Sequence, residues 1–169
     1  SAGYYVDTNG SAAQTPCGLG TWNNMTGQAT CTNASAGHYV DVNGSTTQTP
    51  CGAGTYNPSN GSNSSADCGD VPAGNYSIPG SASPIPCSIG TWQNQTGQSG
   101  CMNASVGYYV DTNGSTSEIP CGLGTWNNLT GQAACTNASA GHYVDTNGST
   151  TQTPCDVGTW NNLTGQSSC

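Results

Sequence analysis

The sequence predicts a small disulfide-rich fold, all-β or irregular, drawn out as an elongated rod of five tandem repeats with little or no helix. Three observations carry this prediction: ten cysteines in 169 residues, a hydrophobic content of only 33%, and self-similarity at a period of about 34 residues. With no Phe and so little apolar material, one conventional core for the whole chain is out of reach. Polarity of this degree ordinarily gives disorder, and regularly spaced cysteines are what staple such a chain into order.

Alignment on Gly-x-Tyr and on Pro-Cys-x-x-Gly-Thr-Trp divides the chain into residues 1–34, 35–70, 71–104, 105–138 and a clipped 139–169. The second unit is the longest, because "TYNPSNGSNSSADC" carries an insertion between its cysteines. Units this similar imply one supersecondary module repeated end to end, each touching mainly its sequence neighbours. Within a unit, "HYVDTNGSTTQTP" sets β-formers on both sides of Asn-Gly, the signal for a tight hairpin turn, and Pro before Cys ends the second strand. "CGLGTWNNLTGQAAC" then reads as a closed loop with Trp as its one large apolar group. Gly and Pro interrupt every window of ten residues or so, which leaves no room for a helix.

Charge excludes several partners. The chain has no Lys or Arg, and its seven Asp and one Glu give a net charge of −8. Without cations it cannot neutralise phosphates, so neither nucleic acid nor an anionic lipid surface is an expected partner. No apolar run approaches the length of a membrane span, so this segment is not expected to insert into a membrane. The cysteines place the protein in an oxidising compartment, extracellular or at a cell surface. Ser1 is not a start methionine, and restoring Thr-Asn-Ala at each end would make the array continuous, so the span is expected to be cut from something longer.

The cysteines alternate short separations, 17 to 31 or 51 to 68, with longer ones such as 31 to 51. Spacing alone leaves the pairing open, although a repeat array favours the same link in every unit. The short-loop choice leaves no cysteine over, whereas the long-loop choice orphans Cys17 and Cys169. A bridge closing about 15 residues contributes roughly 3 kcal/mol in the chain-entropy model, enough to matter for a module without a core. Zinc is disfavoured, because there is no Cys-x-x-Cys and only His38 and His142 are available.

Fourteen Asn-x-Ser/Thr triplets recur along the chain: Asn9, Asn24, Asn33, Asn43, Asn60, Asn63, Asn75, Asn94, Asn103, Asn113, Asn128, Asn137, Asn147 and Asn162. The 18 Asn and 43 Ser or Thr would give about 4 or 5 such triplets by chance. The excess is locked to the repeat. Turn chemistry explains the Asn-Gly-Ser class but not Asn-Leu-Thr or Asn-Ala-Ser, so most of these sites are expected to carry N-linked glycan. Hydrated sugar would also supply the solubility that charge does not.

Other chemistry finds little support. Asp7-Thr8-Asn9-Gly10-Ser11 opens like a calcium loop, yet no bidentate Glu follows and a capped turn is simpler. His38 and His142 stand where Tyr4 and Tyr108 stand in sister units, as strand residues. Trp22, Tyr56, Trp92, Trp126 and Trp160 recur once per unit and read as one packed or glycan-stacked aromatic each rather than a sugar-binding ladder. Thr-x-Thr pairs such as Thr47 and Thr49 fail in units one, three and four, so no ice-binding face is expected. Single scattered acids make no catalytic site, so no enzymatic activity and no cofactor beyond covalent glycan are expected.

The stretch "CGLGTW…GQAACTNASAGHY" resembles the cysteine-rich repeat of ephrin-receptor-like and tumour-necrosis-factor-receptor-like extracellular modules, and the third unit keeps Pro72-Ala73-Gly74. The resemblance covers all five units and departs from the family systematically. The family's second cysteine would fall at Ala34, Val71, Ala104 and Ala138, and its partner at Gln48, Pro84, Glu118 and Gln152. Both members are lost together, which supports one short-loop bridge per unit: Cys17–Cys31, Cys51–Cys68, Cys87–Cys101, Cys121–Cys135 and Cys155–Cys169. The family implies extended extracellular modules used as spacers or for ligand binding. The low divergence between units favours a structural glycoprotein: a segment of a repetitive filament, coat or appendage whose partners are copies of itself, head to tail. The alternative is the stalk or ligand-binding ectodomain of a receptor or surface antigen, with units two and three as the places for a site.

Overall fold

A computed structural model describes residues 1–169. Regular structure consists of nine separate two-stranded antiparallel hairpins, and the only helix is a single 3-10 turn, Ser65–Asp67. The hairpins pair Tyr4–Tyr5 with Thr15–Pro16, Thr21–Trp22 with Thr32–Asn33, His38–Tyr39 with Thr49–Pro50, and Thr55–Tyr56 with Gly69–Asp70. They continue with Asn75–Tyr76 and Ile85–Pro86, Thr91–Trp92 and Met102–Asn103, Tyr108–Tyr109 and Ile119–Pro120, Thr125–Trp126 and Thr136–Asn137, and His142–Tyr143 and Thr153–Pro154. Each unit therefore holds two similar halves, a Tyr half and a Trp half, and the backbone repeats at about 17 residues rather than 34.

This corrects two expectations. The Trp half is not a plain closed loop but a second hairpin of the same kind, with Thr21 opposite Asn33 and Trp22 opposite Thr32. Nor does Asn-Gly make a two-residue turn. Tyr4 pairs with Pro16 and Tyr5 with Thr15, which leaves residues 6–14 as a long loop with Gly10 at φ +75 inside it. The loop bonds outward instead of across its own hairpin: the Val6 N–H donates to the Gln28 carbonyl of the following half at 3.0 Å.

The chain forms two compact units, Ser1–Pro72 with Tyr76–Ile85 and Thr96–Ser99, and Ala73–Asn75 with Pro86–Gln95 and Gly100–Cys169. In the first, the core is a thin line of Cys17, Ala34, Val40, Cys51 and Val71; in the second, it is Cys87, Ala104, Val110, Cys121, Ala138 and Val144. All of these are 2% exposed or less. The few apolar groups available are spent one or two per half, which is how a chain this polar orders itself.

Candidate functional site

The feature repeated most faithfully is the junction between successive halves. In the first compact unit, the Gly3, Gly20 and Gly37 N–H groups donate to the Asn23, Val40 and Asn57 carbonyls of the next half at 2.6, 2.8 and 2.7 Å. In the second, Gly107, Gly124 and Gly141 donate to Asn127, Val144 and Asn161 at 2.7, 2.8 and 3.0 Å. A further bond skips one half: Gly44 to the Cys17 carbonyl and Gly61 to Ala34, both 2.7 Å, and likewise Gly131 to Ala104 and Gly148 to Cys121 at 2.7 and 2.8 Å. These donors belong to glycines with positive φ, which places their N–H groups where an ordinary residue would be strained. Side chains are excluded as well. A Cβ on Gly107 would run into the Gly148 carbonyl oxygen, and one on Gly124 into that of Gly165.

Each unit also carries a staple between its halves. The disulfides are Cys17–Cys31, Cys51–Cys68, Cys87–Cys101, Cys121–Cys135 and Cys155–Cys169, and no cysteine is free. The places equivalent to the family's missing bridge hold a polar clasp. Ala34 takes the backbone position of Cys17, its N–H donating to Gly20 as that of Cys17 donates to Gly3, both at 2.8 Å. Gln48 precedes its strand as Cys31 does, and its Oε1 accepts the Ser35 N–H at 2.7 Å. Glu118 holds Ser105 at 2.6 Å and Gln152 holds Ser139 at 2.7 Å in the same way. In the third unit Pro72 has no N–H to offer and Pro84 no side-chain acceptor, so donor and acceptor change together.

The sequon asparagines fall into positional classes. Asn9, Asn43, Asn113 and Asn147 lie in the long loop of the Tyr half; Asn24, Asn94, Asn128 and Asn162 follow the aromatic of the Trp half; Asn33, Asn103 and Asn137 end its hairpin. Asn60 and Asn63 belong to the insertion of unit two, where Asp67 accepts the Asn63 and Ser64 N–H groups at 3.1 and 3.2 Å. All of these are exposed. Asn75 alone is half-buried, and its Nδ2, the atom that would carry sugar, donates to the Ala73 carbonyl at 3.1 Å. Asn60 and Asn113 use only their Oδ1, accepting the Ala36 and Ile89 N–H groups at 2.8 and 3.0 Å.

Sequence reasoning missed the first Asn of each Asn-Asn pair. Asn23 and Asn127 are 5% exposed, donating to the Tyr4 and Tyr108 carbonyls at 3.1 and 3.0 Å and accepting the Met25 and Leu129 N–H groups. They stand where the Tyr half has Val40 or Val110, so a satisfied amide replaces an apolar side chain. The available signal was that only the second Asn of each pair sits in a sequon. Trp22, Trp92 and Trp126 are half-buried, with indole N–H groups buried and without a hydrogen-bond partner. His38 and His142 lie in strands, each ring Nδ1 near its own turn's carbonyl. The insertion of unit two encloses an open concavity of about 400 Å³ lined by polar side chains from Asn57 to Asp67.

The five disulfides are typical of extracellular and secreted proteins, and no helix is long and apolar enough to cross a membrane. The chain is a cysteine-rich tandem repeat. Compared with protein-family models and with curated proteins, it matches none.

Proposed function

We propose that the chain is a structural extracellular glycoprotein, a segment of a repetitive filament, coat or cell-surface appendage that extends by head-to-tail addition of further copies of itself. The observation that carries this reading is the junction. Within each compact unit every half bonds forward through the same backbone groups, so any half is an adequate neighbour for the next, and a heterologous contact of this kind that does not close gives a fibre. The exposed sequons support a sugar coat, which would limit sideways pairing of strands that lack Lys gatekeepers. The Cys-x-x-Gly-Thr-Trp frame resembles that of ephrin-receptor-like and tumour-necrosis-factor-receptor-like extracellular modules, which supports an extended extracellular array.

The concavity in the insertion of unit two favours a second reading, a ligand-binding ectodomain, because it lies in one of the two modules that differ from their sisters. Electron microscopy of native material decides between them: sugar-coated thin fibres are expected, and discrete monomeric particles would overturn the filament.

A further inference from the structure

The same glycine is covered differently in the two halves. In the Tyr half, a Cβ built on Gly148 would lie 3.9 Å from both the Pro120 Cβ and the Tyr108 hydroxyl. A rigid ring and an aromatic thus close over that junction. In the Trp half the position of Pro120 is taken by Asn. The three atoms nearest a Cβ on Gly131 all belong to Asn103, the closest at 3.6 Å, and those nearest Gly165 all belong to Asn137, the closest at 3.5 Å. The residue at the Tyr108 position is a short Thr. Thr91 and Thr125 turn their hydroxyls back onto the Ser88 and Gly122 carbonyls at 2.7 Å. Apolar side chains stay uncovered beside these glycines: Leu129 and Leu163 are 59% and 60% exposed. Asn103 and Asn137 are themselves exposed and head Asn-Ala-Ser sequons.

We propose that the first N-acetylhexosamine on Asn103 and Asn137 is a structural part of the junction. It covers the Gly131 and Gly165 strips and the neighbouring leucines as Pro120 and Tyr108 cover Gly148. The occupant follows from the residues present, since the Asn that replaces the proline heads an acceptor triplet and a pyranose ring offers an apolar face to an exposed Leu. Asn113 and Asn147, in the loop of the Tyr half, have no such task. This inference rests on the glycoprotein reading above.

The test compares wild type with Ser105→Ala/Ser139→Ala, which removes the Asn103 and Asn137 acceptors, and with Ser115→Ala/Ser149→Ala, which removes Asn113 and Asn147. Each is made in a glycosylating secretory host and, as the sugar-free control, in a bacterial periplasm, with occupancy read by site-specific mass spectrometry. In the sugared set, the first variant should melt lower than the second by about 2–4 °C per site. In the sugar-free set that gap should vanish or reverse, because the second variant also loses the Ser115 and Ser149 hydroxyl bonds to the Thr112 and Thr146 carbonyls at 2.8 and 2.7 Å, while the first loses only the longer Gln152 Nε2 bond to the Ser139 hydroxyl at 3.3 Å. Hydrogen exchange gives a readout independent of refolding: an amidase that strips the whole glycan from folded wild type, leaving Asp at the acceptor sites, should speed exchange at the Gly131 and Gly165 amides and leave the Gly148 amide unchanged, whereas an endoglycosidase that leaves the first sugar on Asn should change none of the three. Occupied sites with no gap and no change in exchange would overturn the inference and leave the glycoprotein reading intact. Unoccupied Asn103 and Asn137 would overturn both at these positions.

Discussion

The Tyr half and the Trp half of a unit share one backbone and secure it by different chemistry. Both place a positive-φ glycine in the same two positions, donate forward from the first, and bury one small residue at the end of the hairpin. The Tyr half seals itself with Val40 or Val110 and with Pro and aromatic cover on the neighbouring glycine. The Trp half buries Asn23 or Asn127 instead and leaves three indole N–H groups unpartnered, an arrangement that contributes less apolar burial. It also supplies the second cysteine of each disulfide and, outside the insertion of unit two and the odd site at Asn75, seven of the eleven sequon asparagines: Asn24, Asn33, Asn94, Asn103, Asn128, Asn137 and Asn162. The lesson is that the glycines define the module, and that covalent or polar additions stand in where apolar cover is thin.

If the glycines define the module, replacing them should be the most damaging change and should hurt both halves alike. Gly107→Ala in a Tyr half and Gly124→Ala in a Trp half each force a residue into positive φ and drive a Cβ into a backbone carbonyl of the half that packs on it. Backbone cannot swing aside as a side chain can, so each is expected to cost about 4 kcal/mol or more. Gly122→Ala, with no positive φ and nothing within 4 Å of the new Cβ, is the control and should be near neutral. Chemical denaturation of the three variants checks this. A much smaller loss at Gly107 than at Gly124 would mean the halves are not equivalent in backbone after all.

The next effect is a gain. If Ala138 and Gln152 occupy the places of Cys121 and Cys135, then Ala138→Cys/Gln152→Cys should close a second bridge. The native link spans a Cα–Cα distance of 5.7 Å at a sequence separation of 14, and the new pair has the same separation. The chain-entropy model allows up to about 3 kcal/mol, and engineered bridges commonly deliver less. Intact mass with and without thiol alkylation, together with the shift in denaturation midpoint, reads the outcome. A pair that stays reduced under conditions where Cys121–Cys135 forms would show that the clasp position is not geometrically equivalent to the staple.

Much of this fold was legible in the sequence. The all-β, helix-poor character follows from Gly and Pro at short intervals, and the repeated module from the period of Cys, Gly-Thr-Trp and Asn-Gly. The half-period was hidden because the two halves agree mainly at glycines, while the residues between, such as Val40 against Asn57, differ in class. The tight Asn-Gly turn was misread because the loop's partners lie in the next half, through backbone N–H and C=O groups that every residue possesses and no side chain advertises. Asn23 and Asn127 escaped notice for a related reason: their burial depends on carbonyls of Tyr4 and Tyr108, far away in sequence. Among the sequons, exposure separates the exception, Asn75, from its sisters, and nothing in Asn-Tyr-Ser itself distinguishes it.

The smallest expected effect tests the clasp. Glu118 is half-exposed, and its Oε2 accepts the Ser105 N–H at 2.6 Å where the family resemblance would place a cysteine. A single hydrogen bond contributes about 0.5–1.5 kcal/mol net, because water competes for both partners when it is absent. Glu118→Ala should therefore lower stability by roughly 1 kcal/mol. Glu118→Gln should restore nearly all of it, since Gln48 and Gln152 perform the same task with an uncharged amide at 2.7 Å. The pair of variants separates hydrogen bonding from charge: equal losses for Ala and Gln would mean that the carboxylate's charge matters, and no loss for either would mean that the clasp is ornamental. Pro84 supplies the internal control, because Pro72 opposite it has no N–H to satisfy and a change there should leave no donor unpaired. Pro84→Ala is accordingly expected to cost less than Glu118→Ala, and a larger cost would sink the idea that this position works through the backbone N–H it faces.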